Sequence, residues 1–144
     1  MLLEKYSHVP RGIVRFWAWL DFAFGLAMAL PPLAYGLAKL IFMLNHLIGG
    51  TASMPAFGPV NWLMIFISGV FILNWGVVRL LHPIGLFATI DGFIKLWTGG
   101  LLIYTIVVLG AIPILWSFVI TAAIGATTQL GAAYWKRSPK ITSE

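Results

Sequence analysis

The chain has 144 residues, 60% of them hydrophobic and 9% charged, with a formal net charge of +5 and no cysteine. A soluble domain has about 25% charged residues, and one of this size could not hide so much apolar surface, so lipid must form part of the solvent. The missing cysteines exclude disulfides, iron–sulfur ligation and thiol chemistry, and the bases sit at the ends of apolar runs, where topology and anionic lipid explain them better than nucleic acid does.

Residues 1–12 are a polar leader, expected at the surface. No small-residue cleavage pattern follows, so the first span is expected to act as its own insertion signal. That span is predicted over about 13–30, with Arg11 and Arg15 beside Phe16, Trp17 and Trp19 in the interfacial pattern of bases and rings. Pro31-Pro32 should break or kink the axis. In residues 33–48, Leu33, Leu37, Leu40, Ile41, Leu44, Leu47 and Ile48 share one helical face, and Lys39 and His46 the opposite one. About 16 helical residues cover roughly 24 Å, short of a hydrocarbon core of about 30 Å. This stretch is therefore predicted to be an amphipathic helix lying in the interface, with an extension of the first span as the alternative.

Residues 49–59 are a loop by composition. Further spans are predicted over about 60–81, 84–109 and 114–135. Pro83 stops the second and suits the first turn of the third, and Gly110-Ala111-Ile112-Pro113 forms a tight turn between the last two. The fold class is thus an all-α integral membrane protein, one domain over 1–144 with four transmembrane helices in a bundle plus the interfacial helix. Lys5, Arg11, Arg15, Arg79, His82, Lys136, Arg137 and Lys140 fall on one side and only Lys39 on the other. The positive-inside rule then places both termini in the cytoplasm, with a bacterial inner (plasma) membrane as the expected location.

Each span carries a strongly polar residue inside its apolar run: Asp21, Asn74, Asp91 and Gln129. At 1.5 Å per residue all four fall roughly 9–13 Å from the cytoplasmic side, in what reads as one polar layer. Asp91 and Lys95 are four apart, acid before base, and share a face that Thr98 extends. Arg79 is long enough to reach the layer by snorkelling, and Arg15 could do the same for Asp21. The layer reads first as the glue of a four-helix bundle and second as a protonatable or ligand-binding site. Thr121, Gly125, Thr128 and Ala132 on one face of the last span, Ala122, Ala126 and Gln129 on the next, and Gly99-Gly100 suit close helix packing. A loose internal duplication pairs the first two spans with the last two.

Arg79, His82-Pro83, Asp91-Gly92, Lys95 and a glutamine late in the last span (Gln129) resemble the second half of small DoxX-like four-helix membrane proteins. The resemblance covers roughly the last 60 residues and implies a four-span bundle. It implies no catalytic residues.

The three histidines, His8, His46 and His82, lie outside or at the ends of spans, so haem ligation between helices is not expected. No His or carboxylate group has metal-ligand spacing, and no HEXXH, GxSxG or P-loop pattern is present. No cofactor, metal or catalytic residue is assigned. Trp17, Trp19, Trp62 and Trp135 have an interfacial explanation, and Trp75, Trp97 and Trp116 read as packing or lipid contacts. The expected function is a non-catalytic integral subunit or scaffold of a larger membrane complex. Its expected partners are the bilayer and other membrane subunits or further copies of itself. A small proton-linked transporter using the polar layer is the alternative, and a lipid- or quinone-related membrane enzyme the next.

Overall fold

Proline punctuates the chain, and the helices follow. The structure, a computed structural model, describes residues 6–134. Lys5, Trp135, Lys136, Arg137 and Lys140, on which part of the topology reading leans, lie outside the described residues. Five helices are present and no strand among the described residues: α1 Arg11–Ala29, α2 Pro31–Leu47, α3 Pro59–Leu81, α4 Gly85–Val107 and α5 Leu115–Tyr134. All except α2 are long and apolar enough to cross a membrane.

The break at Pro31-Pro32 has a simple cause. The residue before a proline is driven out of the helical region, and Leu30 is extended at φ −99, ψ 118. The prolines then open α2, where a missing N–H costs nothing. Pro59 does the same for α3. Pro83 does not open α4 as its sequence position suggested: Ile84 is the N-cap and the helix begins at Gly85. At the far end of α2, Gly49 adopts φ +88. The Gly50 N–H then donates to the Asn45 carbonyl at 2.8 Å and the Gly49 N–H to that of His46 at 3.0 Å, a Schellman closure that needs a left-handed residue. Gly110, φ +68, turns the chain between α4 and α5.

The long helices form two antiparallel pairs, α1 with α3 and α4 with α5. Backbone approaches backbone in the first pair. A Cβ on Gly25 would fall on the backbone of Leu73, one on Gly69 would lie 2.6 Å from the Met28 carbonyl carbon, and one on Gly76 2.8 Å from the Phe22 nitrogen. In the second pair Gly92 admits Leu130, and Gly99 faces Ala122. The packed face of α5 is Ala122, Gly125, Ala126, Gln129 and Ala133. Of the small residues predicted to pack there, Thr121 and Thr128 are exposed and return their hydroxyls to the Ser117 and Ile124 carbonyls at 2.9 and 2.8 Å.

α2 ties the pairs together at one end. Its N-terminal part meets the start of α3, with the Tyr35 and Trp62 rings 5.9 Å apart. Near its other end the buried Asn45 accepts the Ile114 N–H at 3.3 Å, at the turn into α5. Both ends of α2 therefore lie at the same end of the bundle, and it does not continue α1. Ala34 and Asn45 are buried, with Leu37, Ala38 and Ile41 partly so, while Leu33, Leu40, Leu44, Leu47 and Ile48 remain exposed. The packed face is thus about a quarter-turn from the leucine face read from the sequence.

The opposite end is closed by the leader. Tyr6 and Val9 are buried, not at the surface as expected, and form a small core with Val14, Ala88 and Ala133. The ring Nε2 of His8 donates to the Ala133 carbonyl at 3.0 Å, in the last turn of α5. Gly85 has no side chain because the Tyr6 carbonyl occupies that space.

Candidate functional site

Between the two helix pairs lies a closed ring of four charges. Asp21 faces inward from α1 and Arg79 from α3, three residues beyond the Gly76 contact that brings these helices together. Asp91 and Lys95 face inward from α4, one turn apart. Arg79 bridges both acids, binding Asp21 through Nη2 and lying 2.7 Å from Asp91 Oδ2 through Nη1. The second contact is an ion contact without hydrogen-bond alignment. Lys95 also bridges both, 2.8 Å from Asp91 Oδ2 and 3.2 Å from Asp21 Oδ2. Two acids and two bases alternate, so the ring is neutral as a unit.

Neutral donors complete it. Gln129 of α5 donates its amide to Asp91 Oδ2 at 2.6 Å, and Trp75 of α3 donates its indole N–H to Oδ1 at 2.9 Å. An amide carbonyl cannot face a carboxylate, so the Gln129 amide has only one workable orientation. Its Oε1, and the hydroxyl of Thr89, are buried without a hydrogen-bond partner among the described residues. Each cation also lies against an indole: Arg79 Cζ is 5.3 Å from the Trp75 ring and Lys95 Nζ 5.3 Å from that of Trp17. Such contacts strengthen as water is excluded. Trp17 is anchored across the seam by its N–H, donated to Thr128 Oγ1 at 3.0 Å. Gly125 leaves room for the Lys95 stem, whose Cε would lie 2.9 Å from a Cβ there.

The ring is deep on one edge and shallow on the other. Arg79, Asp91 and Gln129 are fully buried, whereas the side chains of Lys95 and Asp21 keep 12% and 22% of their exposure. Any access to the charges is through Asp21 and Lys95.

The structure brings together Asp21, Arg79, Asp91, Lys95 and Gln129. Asn74 is not among them; it is exposed on the outer face of α3. Its depth along the helix suits the layer, but it lies two residues, about 200°, from the inward-facing Gly76. The neighbouring Trp75 takes the place expected of it. Arg15 is exposed and does not reach Asp21, whose partners come from other helices. Thr98 is exposed as well. Trp17, expected at the interface, is buried. Both functional indoles had a signal in the sequence: Trp17 precedes Asp21, and Trp75 precedes Arg79, by four residues, the same spacing as Asp91 and Lys95.

Trp75→Phe removes one donor from a buried carboxylate and keeps the ring volume. The expected cost is about 1.5–3 kcal/mol of stability, the range for hydrogen bonds to charged groups. Titrated unfolding of the two proteins in mixed micelles reads it, and a change below about 0.5 kcal/mol would rule the bond out as a support.

Chemically the ring can hold a shared set of protons or keep two helix pairs in register. Among the described residues no group of His, Cys, Asp or Glu could hold a metal ion. Comparison with protein-family models, with curated proteins and with solved structures finds no match to this chain.

Proposed function

We propose that the chain is an integral membrane protein whose ring of charges is a structural keystone, and that it serves as a non-catalytic subunit or scaffold in a larger membrane complex. The observation that carries the reading is the closure of the ring. Every charge in it has two opposite partners, so none is left over for a reacting group. An intramembrane charge would need such partners to be tolerable at all.

Three features support the setting. The outward faces of the long helices are largely apolar, with Phe71, Leu81, Trp97 and Val107 all at least 67% exposed. Arg11, Arg15, Arg79 and His82 belong to one end of the bundle and Lys39 to the other, the bias expected if the former faces the cytoplasm of a bacterial inner membrane with both termini on that side. α2 carries an exposed leucine stripe beside the Lys39–His46 stripe, which suits a helix in the interface. Membership among the DoxX-like proteins is part of the same reading, carried by the residues quoted for it.

The test is purification of the tagged full chain from its native membranes in mild detergent. A membrane protein co-purifying in fixed stoichiometry, or a defined homo-oligomer, is the expected result. Recovery solely as a homogeneous monomer would overturn the scaffold assignment.

The shallow edge of the ring favours a second reading, a small proton-linked transporter with Asp21 and Lys95 at its mouth. It requires uptake into liposomes holding the chain alone, abolished in Asp21→Asn. Absence of any proton flux in that preparation would remove it.

A further inference from the structure

A second feature lies at the other end of the bundle. Tyr35, Lys39, Phe42 and His46 succeed one another at spacings of four, three and four and make one stripe along α2. With Phe57 and Trp62 they line a cleft of about 610 Å³ against the 51–57 loop. Its aromatic wall is built: the Phe57 and Trp62 rings meet edge-on at 5.2 Å, and Tyr35 lies 5.9 Å from Trp62. Lys39 Nζ stands 4.6 Å over the Tyr35 ring.

Lys39 meets no acid among the described residues. Among the described residues the only carboxylates are Asp21 and Asp91, and both belong to the ring. Trp75, which binds the ring, is 13 residues along α3 from Trp62, so about 20 Å of helix separates ring and cleft. The cleft is therefore a cationic, aromatic-walled site without a counter-ion among the described residues. Beside it, Leu40, Met43, Leu44 and Leu47 leave an exposed apolar stripe on the same helix.

We propose that this cleft binds the phosphodiester headgroup of an anionic phospholipid. Lys39 supplies the charge, His46 and Ser53 supply hydrogen bonds, and the leucine stripe of α2 receives the acyl chains. The pairing of a basic, aromatic pocket with an adjacent apolar strip fits a molecule that is itself anionic at one end and apolar at the other. The site rests on the membrane assignment proposed above.

The experiment is native mass spectrometry of the full chain released from micelles holding equal amounts of phosphatidylglycerol and phosphatidylcholine. The wild type is expected to retain phosphatidylglycerol about fivefold to tenfold over phosphatidylcholine, the scale of about 1 kcal/mol for one cation at a membrane surface. The double variant Lys39→Gln/His46→Gln is expected to lose that preference, and Arg15→Gln, at the other end of the bundle, to keep it. Equal preference in the double variant and the wild type would overturn the site. So would displacement of the lipid by millimolar inorganic phosphate, which would point to a free anion. Alkaline carbonate extraction reads the membrane assignment separately. Release of the chain would overturn that assignment and the lipid site with it, whereas a retained chain without phosphatidylglycerol preference overturns the lipid site alone.

Discussion

Asp91→Asn is expected to be the most damaging conservative substitution in the chain. The carboxylate receives Trp75, Gln129 and Lys95 and sits against Arg79, with 1% of its surface exposed. An amide there offers one acceptor atom where two were used, and turns an N–H₂ group toward other donors. It also leaves Arg79 and Lys95 to share Asp21 alone, a net positive charge in a dry seam. Removing one partner of a buried ion pair costs about 3–5 kcal/mol. Arg79→Gln should be comparable, because it leaves Asp21 and Asp91 to share Lys95 alone, a net negative charge in the seam. Asp21→Asn should cost less, since that side chain remains partly hydrated. Unfolding by SDS in mixed micelles, followed by tryptophan fluorescence, gives the order. The sharper measurement is the double variant Asp91→Asn/Lys95→Gln, in which one acid and one base leave together. It should be less destabilised than the sum of its single variants by about 0.5–3 kcal/mol, the range for directly coupled groups. Strict additivity would show that the ring does not act as a unit.

The second large effect is expected at Gly69. On helix propensity alone, Gly→Ala stabilises by about 1 kcal/mol. At Gly69 the new methyl would lie 2.6 Å from a backbone carbon of Met28 and 2.7 Å from its Cβ, and neither can move without shifting α1. Overpacking of this kind costs about 1–3 kcal/mol. Gly69→Val should exceed that and part the α1–α3 pair, which carries Asp21 away from Arg79 and so damages the ring from a distance. Gly100→Ala is the control. Nothing lies within 4 Å of a Cβ there, so it should be neutral or slightly stabilising. If Gly69→Ala and Gly100→Ala unfold alike, close backbone approach does not hold the first pair together.

These expectations depend on a geometry only part of which was legible in the sequence. Long apolar runs between prolines specify the helices, because a backbone whose side chains draw it away from water must satisfy its own hydrogen bonds. Depth was legible as well: the 1.5 Å rise put Asp21, Asp91 and Gln129 at one level, and Lys95 follows from its spacing to Asp91. The Pro31-Pro32 break and the separate helix after it could be read from proline chemistry alone.

Azimuth was not legible. Asn74 has the right depth and points outward, while Trp75, 100° around the same helix, reaches Asp91. Choosing between them requires knowing which face of α3 meets α1, and that is decided by Gly69 and Gly76 lying against Met28 and Phe22. Partner choice failed for the same reason. Arg15, close in sequence to Asp21, points outward, and Arg79 and Lys95, 58 and 74 residues away, hold the acid instead. The buried leader, too, exists only because the ends of α4 and α5 form a surface for Tyr6 and Val9. Element identity and depth are properties of one helix, set by composition and rise. Direction and pairing are properties of two helices in contact, set by which small residues allow their backbones to meet.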